Sequence, residues 1–419
     1  MRRRLFAAAL LIPAALAGAS PAVADAAHPA VVSADPVDFT PHVLDGTVWT
    51  IAVVDDTVVV GGSFTQVTNS TRTQTYARRN VFAYGLDDGA IRPFAPAVDG
   101  AVYALTAGPS RTVYLGGSFK TVNGVPQRGL ARVGLDSGQR IGTFAAKINW
   151  GDVRAMIAKG SRLYVAGTFS AINGTSRVAL ARLNPATGAV DTGFDARLSA
   201  PGLDRTRVEH FDVSPDGRKL IVIGALLKSG SAARTQIAMF DVSGPGAGLT
   251  DWYTDAYKPE CMEGFDTYLR QVKFSPDGSY FVVAATGRAS SPTKLCDSAA
   301  RFETGGSGRH NPTWVQRTGG DSLYAVAVTG SAVYVGGHQR YLDNPYGSDS
   351  NGPGPGAVSR VGIGAVSPVT GKALAWNPTR TRGVGVRAFV VTPRGLLVGS
   401  DTDQLGREYH GRVGMFPLP

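Results

Sequence analysis

Two stretches of this chain repeat one another. VYLGGSFKTVNGVPQRGLARV spans Val113 to Val133, and LYVAGTFSAINGTSRVALARL spans Leu163 to Leu183, 50 residues on. A repeat of this kind constrains the fold more than composition does, because each copy must adopt one local structure that its neighbours complete. The glycine that ends the second apolar run stands at Gly62, Gly117, Gly167 and Gly224. A degenerate copy, FVVAATG, puts Ala285 there, and the series ends with Gly337 and, less well fitted, Gly399. That makes 7 copies at intervals of 50 to 62 residues.

Each copy has the same internal order. A strand such as AVYALTAG is followed by a tight turn, then TVYLGGSF, a loop of variable length, GLARVGLDSG, and last QRIGTFAAKI. Short apolar runs bounded by Gly, Pro, Asp and Asn read as strands and turns. No helical period lasts more than a few turns. Four antiparallel strands in a unit of this length match a propeller blade rather than a solenoid turn. The expected fold is all-β, a seven-bladed β-propeller of four-stranded antiparallel blades. The last copy stops at its third strand, RVGMFPLP, while VDFTPHVLDG (Val37 to Gly46) resembles the fourth-strand phrases. The N-terminal segment is therefore expected to supply the outer strand of the last blade, leaving few open sheet edges. The expected division is 1–24 as a signal peptide, 25–36 as a short lead-in and 37–419 as the propeller.

The first 24 residues carry Arg2, Arg3 and Arg4, an apolar stretch from Leu5 to about Ala17 and an Ala22-Val23-Ala24 cleavage pattern. This is the layout of a secretory signal peptide, and the apolar run is short of a membrane span. The mature protein is expected outside the cell or at the cell wall, with no transmembrane segment, as a monomer. Losing three arginines lowers the formal net charge from +10 to +7. No Lys/Arg block or nucleic-acid motif appears, so nucleic acid is not an expected partner. Of 419 residues, 43% are hydrophobic, which is ample for a core. Cys261 and Cys296 are the two cysteines. In an oxidising compartment such a pair forms a disulfide.

YLGGSFKTVNGVPQRGLARV and YVAGTFSAINGTSRVALARL resemble the delta-60 type repeats of secreted bacterial propellers. The SPDG turns at Ser214–Gly217 and Ser275–Gly278 resemble those of TolB- and YVTN-type propellers. The C-terminal third is similar to secreted actinobacterial proteins. The resemblance implies the fold and carries little about activity, since propellers host binding modules and enzymes alike.

In a propeller the loops between strands two and three and between blades emerge on one face. Here those loops are the long ones, and function concentrates on such loops. Stacking the first strands gives one mixed column, Trp49, Tyr103, Arg154, Glu209, Arg270, Tyr324 and Arg387. Two residues on lies an apolar column, Ile51, Leu105, Met156, Phe211, Val272, Val326 and Phe389, expected to pack between blades on the same side. The mixed column either holds a ligand, since arginine grips carboxylate or phosphate and aromatics stack on rings, or fills the wedge, with Arg154, Glu209 and Arg270 paired among themselves. His338, Asp401, Asp403, Glu408 and His410 form a second candidate cluster for ligand binding or acid–base work, with Ca²⁺ the metal considered and no metal or cofactor expected. Asn69-Ser70-Thr71 and Asn173-Gly174-Thr175 match the glycosylation pattern but are expected as polar loop residues.

Two functions remain open. The first is a secreted, non-catalytic module binding a glycan, peptide or protein through the long-loop face and channel mouth. The second is an extracellular hydrolase or lyase acting on a polysaccharide, with acids drawn from Glu209, Glu260, Glu263, Asp266, Asp321, Asp401 and Asp403.

Overall fold

The computed structural model describes residues 27–288, 291–347 and 352–419, so the signal-peptide segment lies outside the described residues. The described chain is all strand, turn and loop. Its main body is a series of antiparallel sheets, each a simple meander in chain order. The first comprises Thr47–Val54, Thr57–Ser63 and Val81–Gly85, and the second Val102–Gly108, Thr112–Gly117 and Leu130–Gly134. The third runs Val153–Lys159, Arg162–Gly167 and Leu180–Leu183. The fourth adds an outer strand: Arg207–Val213, Lys219–Ala225, Ile237–Asp241 and Gly248–Leu249. So does the fifth: Leu269–Phe274, Tyr280–Ala285, Ser298–Glu303 and Trp314–Arg317. The sixth is Leu323–Val328, Val333–Gly337 and Ile363–Val366, and the seventh Ala388–Thr392, Gly395–Gly399 and Val413–Pro417. Where a fourth strand is expected in the first, second, third and sixth, it is reduced to a single bridge, such as Tyr84↔Ile91 or Val133↔Arg140. Phe94, Phe144 and Phe194 follow those bridges and are fully buried, so packing takes over from the ladder.

The first strands touch one another in chain order, and the seventh touches the first. Paired glycines explain this close stacking. A Cβ on Gly61 would lie 2.8 Å from Val102 and 3.2 Å from Leu105 of the next sheet. Gly116 meets Val153 and Met156 in the same way, Gly336 meets Val386 and Phe389, and Gly399 meets Val48 and Ile51 of the first sheet. The apolar column thus packs against the preceding sheet. Each such Val and Leu, buried from water, is worth about 1.5–3 kcal/mol. Gly399 therefore corresponds to Gly61, the first glycine of the pair, and Ser400 takes the second place. That is why Gly399 fits the aligned series poorly.

The N-terminal segment bonds to the last sheet: Ser33 N–H to Pro417 O (2.8 Å) and Val37 N–H to Met415 O (2.9 Å). His28 bonds the Thr392 carbonyl at 2.8 Å, the Tyr334 hydroxyl accepts from Val32 N–H at 3.0 Å, and Val32 is buried. Among the described residues, contacts with the last two sheets already involve His28 and Val32, ahead of Val37. The reason is that Val32 fills an apolar gap beside Trp376.

The loops between second and third strands are more ordered than expected. In the second and third sheets they are tiny hairpins turning at Asn123-Gly124 (φ 51° and 74°) and Asn173-Gly174 (φ 49° and 78°). Positive φ at both central residues is the type I′ turn that Asn-Gly favours. These hairpins are clasped to the incoming connection by Val98↔Val122 and Ile148↔Ile172. In the fifth sheet, Cys261 and Cys296 form a disulfide that ties the same two segments together.

Candidate functional site

The pairing register slips by one residue in six of the seven first strands. The slips fall at Val48/Thr50, Val102/Ala104, Val153/Ala155, Val208/His210, Leu269/Gln271 and Leu323/Ala325. The skipped residues are Trp49, Tyr103, Arg154, Glu209, Arg270 and Tyr324. A bulge leaves its extra residue out of the ladder and re-aims its side chain. The second glycine of each pair makes room for it. A Cβ on Gly62 would sit 2.2 Å from Thr47 O, on Gly117 2.0 Å from Ala101 O, and on Gly167 2.1 Å from Asp152 O. The bulge also corrects the expectation that both columns share a side through two-residue alternation. The alternation breaks between them, so the apolar column packs on its neighbour while the mixed column is freed toward the centre. Arg387, the seventh member, stands just before its strand, with its N–H donating to Gly399 O at 2.9 Å.

All seven mixed-column residues line one cavity of about 790 Å³. Asp152, Asp204, Arg205, Arg207, His210, Gln271 and Lys273 also contribute to its walls. The charges are unevenly partnered. Arg154 bonds Asp152 at 3.2 Å and Glu209 closely, while Arg207 bonds Glu209 at 2.7 Å and Asp266 at 2.8 Å. Burial opposes ionisation of Glu209, but the charges of Arg154 and Arg270 and the Arg207 bond outweigh it and hold the carboxyl below its ordinary value. Arg270 does not join this pairing. Its guanidinium reaches only the Thr267 and Leu269 carbonyls, at 3.5 and 3.4 Å. Burial lowers its pKa, with Glu209 only partly offsetting.

Arg387 lies 3.9 Å over the Tyr324 ring and 4.9 Å over the Trp49 ring. Its buried Nε has no hydrogen-bond partner, and burial lowers its pKa, against the opposing influence of Tyr324. Trp49 meets Tyr103 edge to face at 5.8 Å. Around the centre, sheets three and four thus present a bonded arginine–carboxylate cluster, with Arg154 and Arg207 shared among Asp152, Glu209 and Asp266. Sheets five, six, seven, one and two present Arg270, Tyr324, Arg387, Trp49 and Tyr103. His210 stands in the wall as a neutral ring, since burial drives its pKa down to about 3, aided by Lys273.

The second candidate cluster lies apart from the cavity and does not converge. His410 is buried, with its ring bonding Thr40 Oγ1 at 3.2 Å and Glu408 at 3.1 Å. Asp401 instead accepts from Arg380 at 3.2 Å and from Gly385 N–H at 3.0 Å. His338 bonds the Gly383 carbonyl, and the Asp403 carbonyl accepts from His410 N–H at 2.8 Å. His410 and Glu408 meet, while Asp401 and His338 turn to Arg380 and the Gly383 carbonyl, so the five do not share a centre. Among the described residues no three His, Cys, Asp or Glu side chains group so as to hold a metal. Asp321 is buried between Arg340 (2.9 Å) and Arg382 (2.7 Å), away from the cavity.

Sequence reasoning missed Asp152, Arg207 and His210, and named Asp266 only as a candidate acid, not as a partner of Arg207. It also missed a signal for the bulges themselves. The apolar residues Val48 and Ile51, Val102 and Leu105, or Val153 and Met156 are spaced by three, where an unbroken strand would space them by two.

A family described as "Domain of unknown function (DUF5122) beta-propeller" matches residues 161–194. No curated protein matches. A solved structure described as U3-55K is 12% identical, with a TM-score of 0.54, covering 90% of this chain and 98% of its own. One described as RRP9 WD40 repeats is also 12% identical, with a TM-score of 0.53, covering 93% of this chain and 99% of its own. At this identity the likeness is one of fold: the chain is a β-propeller.

Proposed function

We propose that this chain is a secreted, seven-bladed β-propeller that acts as a binding module, taking a glycan or peptide ligand into its central channel. In this reading each of the seven sheets is a blade, and the segment from His28 to Val37 closes the ring on the last. A propeller fold suits a binding or scaffold role. The observation that carries the reading is the cavity itself. Three aromatic side chains and two arginines without a carboxylate partner converge there from separate sheets. Pockets of a few hundred to about 1,000 Å³ with a few polar groups among apolar walls are the usual form of a ligand site.

The enzyme reading gains less. A general acid needs a proton at working pH, which requires a raised carboxyl pKa. Glu209 is held the other way, and none of Glu260, Glu263, Asp266, Asp321, Asp401 and Asp403 lines the cavity. The test is a thermal-shift and calorimetric screen of the full chain against neutral and charged oligosaccharides and short peptides. Binding abolished by Trp49→Ala supports the channel. Binding unchanged in that variant and in Tyr103→Ala would move the site elsewhere.

A further inference from the structure

We infer that the half of the channel formed by Arg270, Tyr324, Arg387, Trp49 and Tyr103 is a site for a six-membered sugar ring carrying an oxyanion, a carboxylate or a phosphate. The inference rests on the channel-binding reading and narrows it to one side of the channel and one ligand class.

The argument is one of unmet valence. A guanidinium has five N–H donors and is strongest when two of them grip an oxyanion. Arg154 and Arg207 use theirs on Asp152, Glu209 and Asp266. Arg270 makes only two long contacts to main-chain carbonyls, while Arg387 meets two ring faces, bonds the Tyr324 side chain and feels Asp401 at longer range, with a buried Nε left over. Both arginines bear on Tyr324 and on each other electrostatically, so the two charges share one neighbourhood. Burying a cation without a carboxylate in bonding contact is costly, and an incoming anion recovers part of that cost. Glu209 faces the same space and attracts Arg270 electrostatically, but its ion-pair contacts go to Arg154 and Arg207, not to Arg270.

The ring follows from the aromatics. Trp49 and Tyr103 stand edge to face beside Arg387, and Trp49 Nε1 is anchored to Ser63 Oγ at 3.0 Å. An aromatic face so held offers its apolar side to the C–H face of a sugar while the anion reaches the arginines. A cavity of about 790 Å³ takes one or two such rings.

The experiment is isothermal calorimetry on the full chain at low salt with glucuronate, its methyl ester, glucose 1-phosphate, glucose and inorganic phosphate. Glucuronate or glucose 1-phosphate, or both, should bind at least tenfold more tightly than methyl ester and glucose, and whichever is tighter names the oxyanion. Inorganic phosphate should be weaker than the sugar phosphate. Arg387→Met and Arg270→Met should each lower affinity tenfold or more, with Arg387→Lys intermediate because it keeps charge without the planar fork. Equal binding of ester and acid, abolished by Trp49→Ala, would leave the channel a binding site and overturn the oxyanion. Charged sugars bound undiminished by both arginine variants would overturn the placement. No binding of any probe would overturn this ligand class, while peptides or larger glycans that still bound through Trp49 would keep the channel reading. If the arginine variants do not fold, acid against ester in the unaltered protein, with affinity falling as salt rises, decides the matter.

Discussion

Acidification should loosen the junction between the N-terminal segment and the last sheet, and His42 is the residue to watch. Its ring is buried, with Nδ1 accepting from Gly411 N–H at 3.2 Å and Nε2 facing the Ser70 carbonyl at 3.1 Å. Both contacts suit the neutral ring with its proton on Nε2. Protonating Nδ1 would set one N–H against another. Around the ring stand His410 at 5.9 Å, Tyr409 at 4.8 Å, and the cations Arg72 and Arg412, with Glu408 on the far side of His410. Burial drives the pKa of His42 from 6.5 to about 4, against the Ser70 carbonyl and with help from His410 and Arg72. The folded value is the depressed one. Between pH 6.5 and about 4 the unfolded chain therefore takes up a proton that the folded chain refuses. Stability contributed here is present above pH 6.5 and lost as pH falls toward 4. At 1.36 kcal/mol per pKa unit this amounts to about 3 kcal/mol, reduced to ~2 by solvent near the ring edge. Urea denaturation of the full chain and of His42→Asn at about pH 7.5 and 4.5 measures it. Asn keeps an acceptor for Gly411 N–H but does not titrate. Carboxylates and His210 affect both proteins alike, so the unaltered chain should lose ~2 kcal/mol more than the variant. Parallel losses in the two proteins would refute the assignment.

Gly117→Ala should cost about 2–3 kcal/mol, because its Cβ would lie 2.0 Å from the Ala101 carbonyl beside the Tyr103 bulge. Gly124→Ala meets nothing within 4 Å but sits at φ 74°, and should cost about 1 kcal/mol. Equal costs in urea denaturation would remove the link between that glycine and the bulge. Arg207→Ala strips a partner from both Glu209 and Asp266 and should destabilise by about 2 kcal/mol, less than a fully buried pair because all three side chains keep some solvent. A double-mutant cycle with Glu209→Ala should show coupling, and additive losses would mean the bond contributes nothing.

Much of this was legible before any coordinates. The period of the repeat and the chain order of its strands announce the sheets, since a meander follows whenever consecutive strands are short and joined by tight turns. The column from Trp49 to Arg387 could be written down from alignment alone, because equivalent positions of stacked repeats face one axis. The loop cluster around His338 and His410 failed for a complementary reason. Those residues belong to loops of the last two sheets rather than to equivalent positions of the repeat, and nothing in the sequence says which groups will claim their side chains.

The sequence by itself therefore determined the repeating unit, its strands and the positions that turn inward. Local chemistry suffices for these: glycine where backbone approaches backbone, Asn-Gly where φ must be positive, apolar residues where sheet meets sheet. Only the tertiary structure decided that Arg154 and Arg207 are bonded to carboxylates and that Arg270 and Arg387 are not. Pairing of charges depends on distances between residues 50 or more positions apart, and those distances exist only once neighbouring sheets have packed.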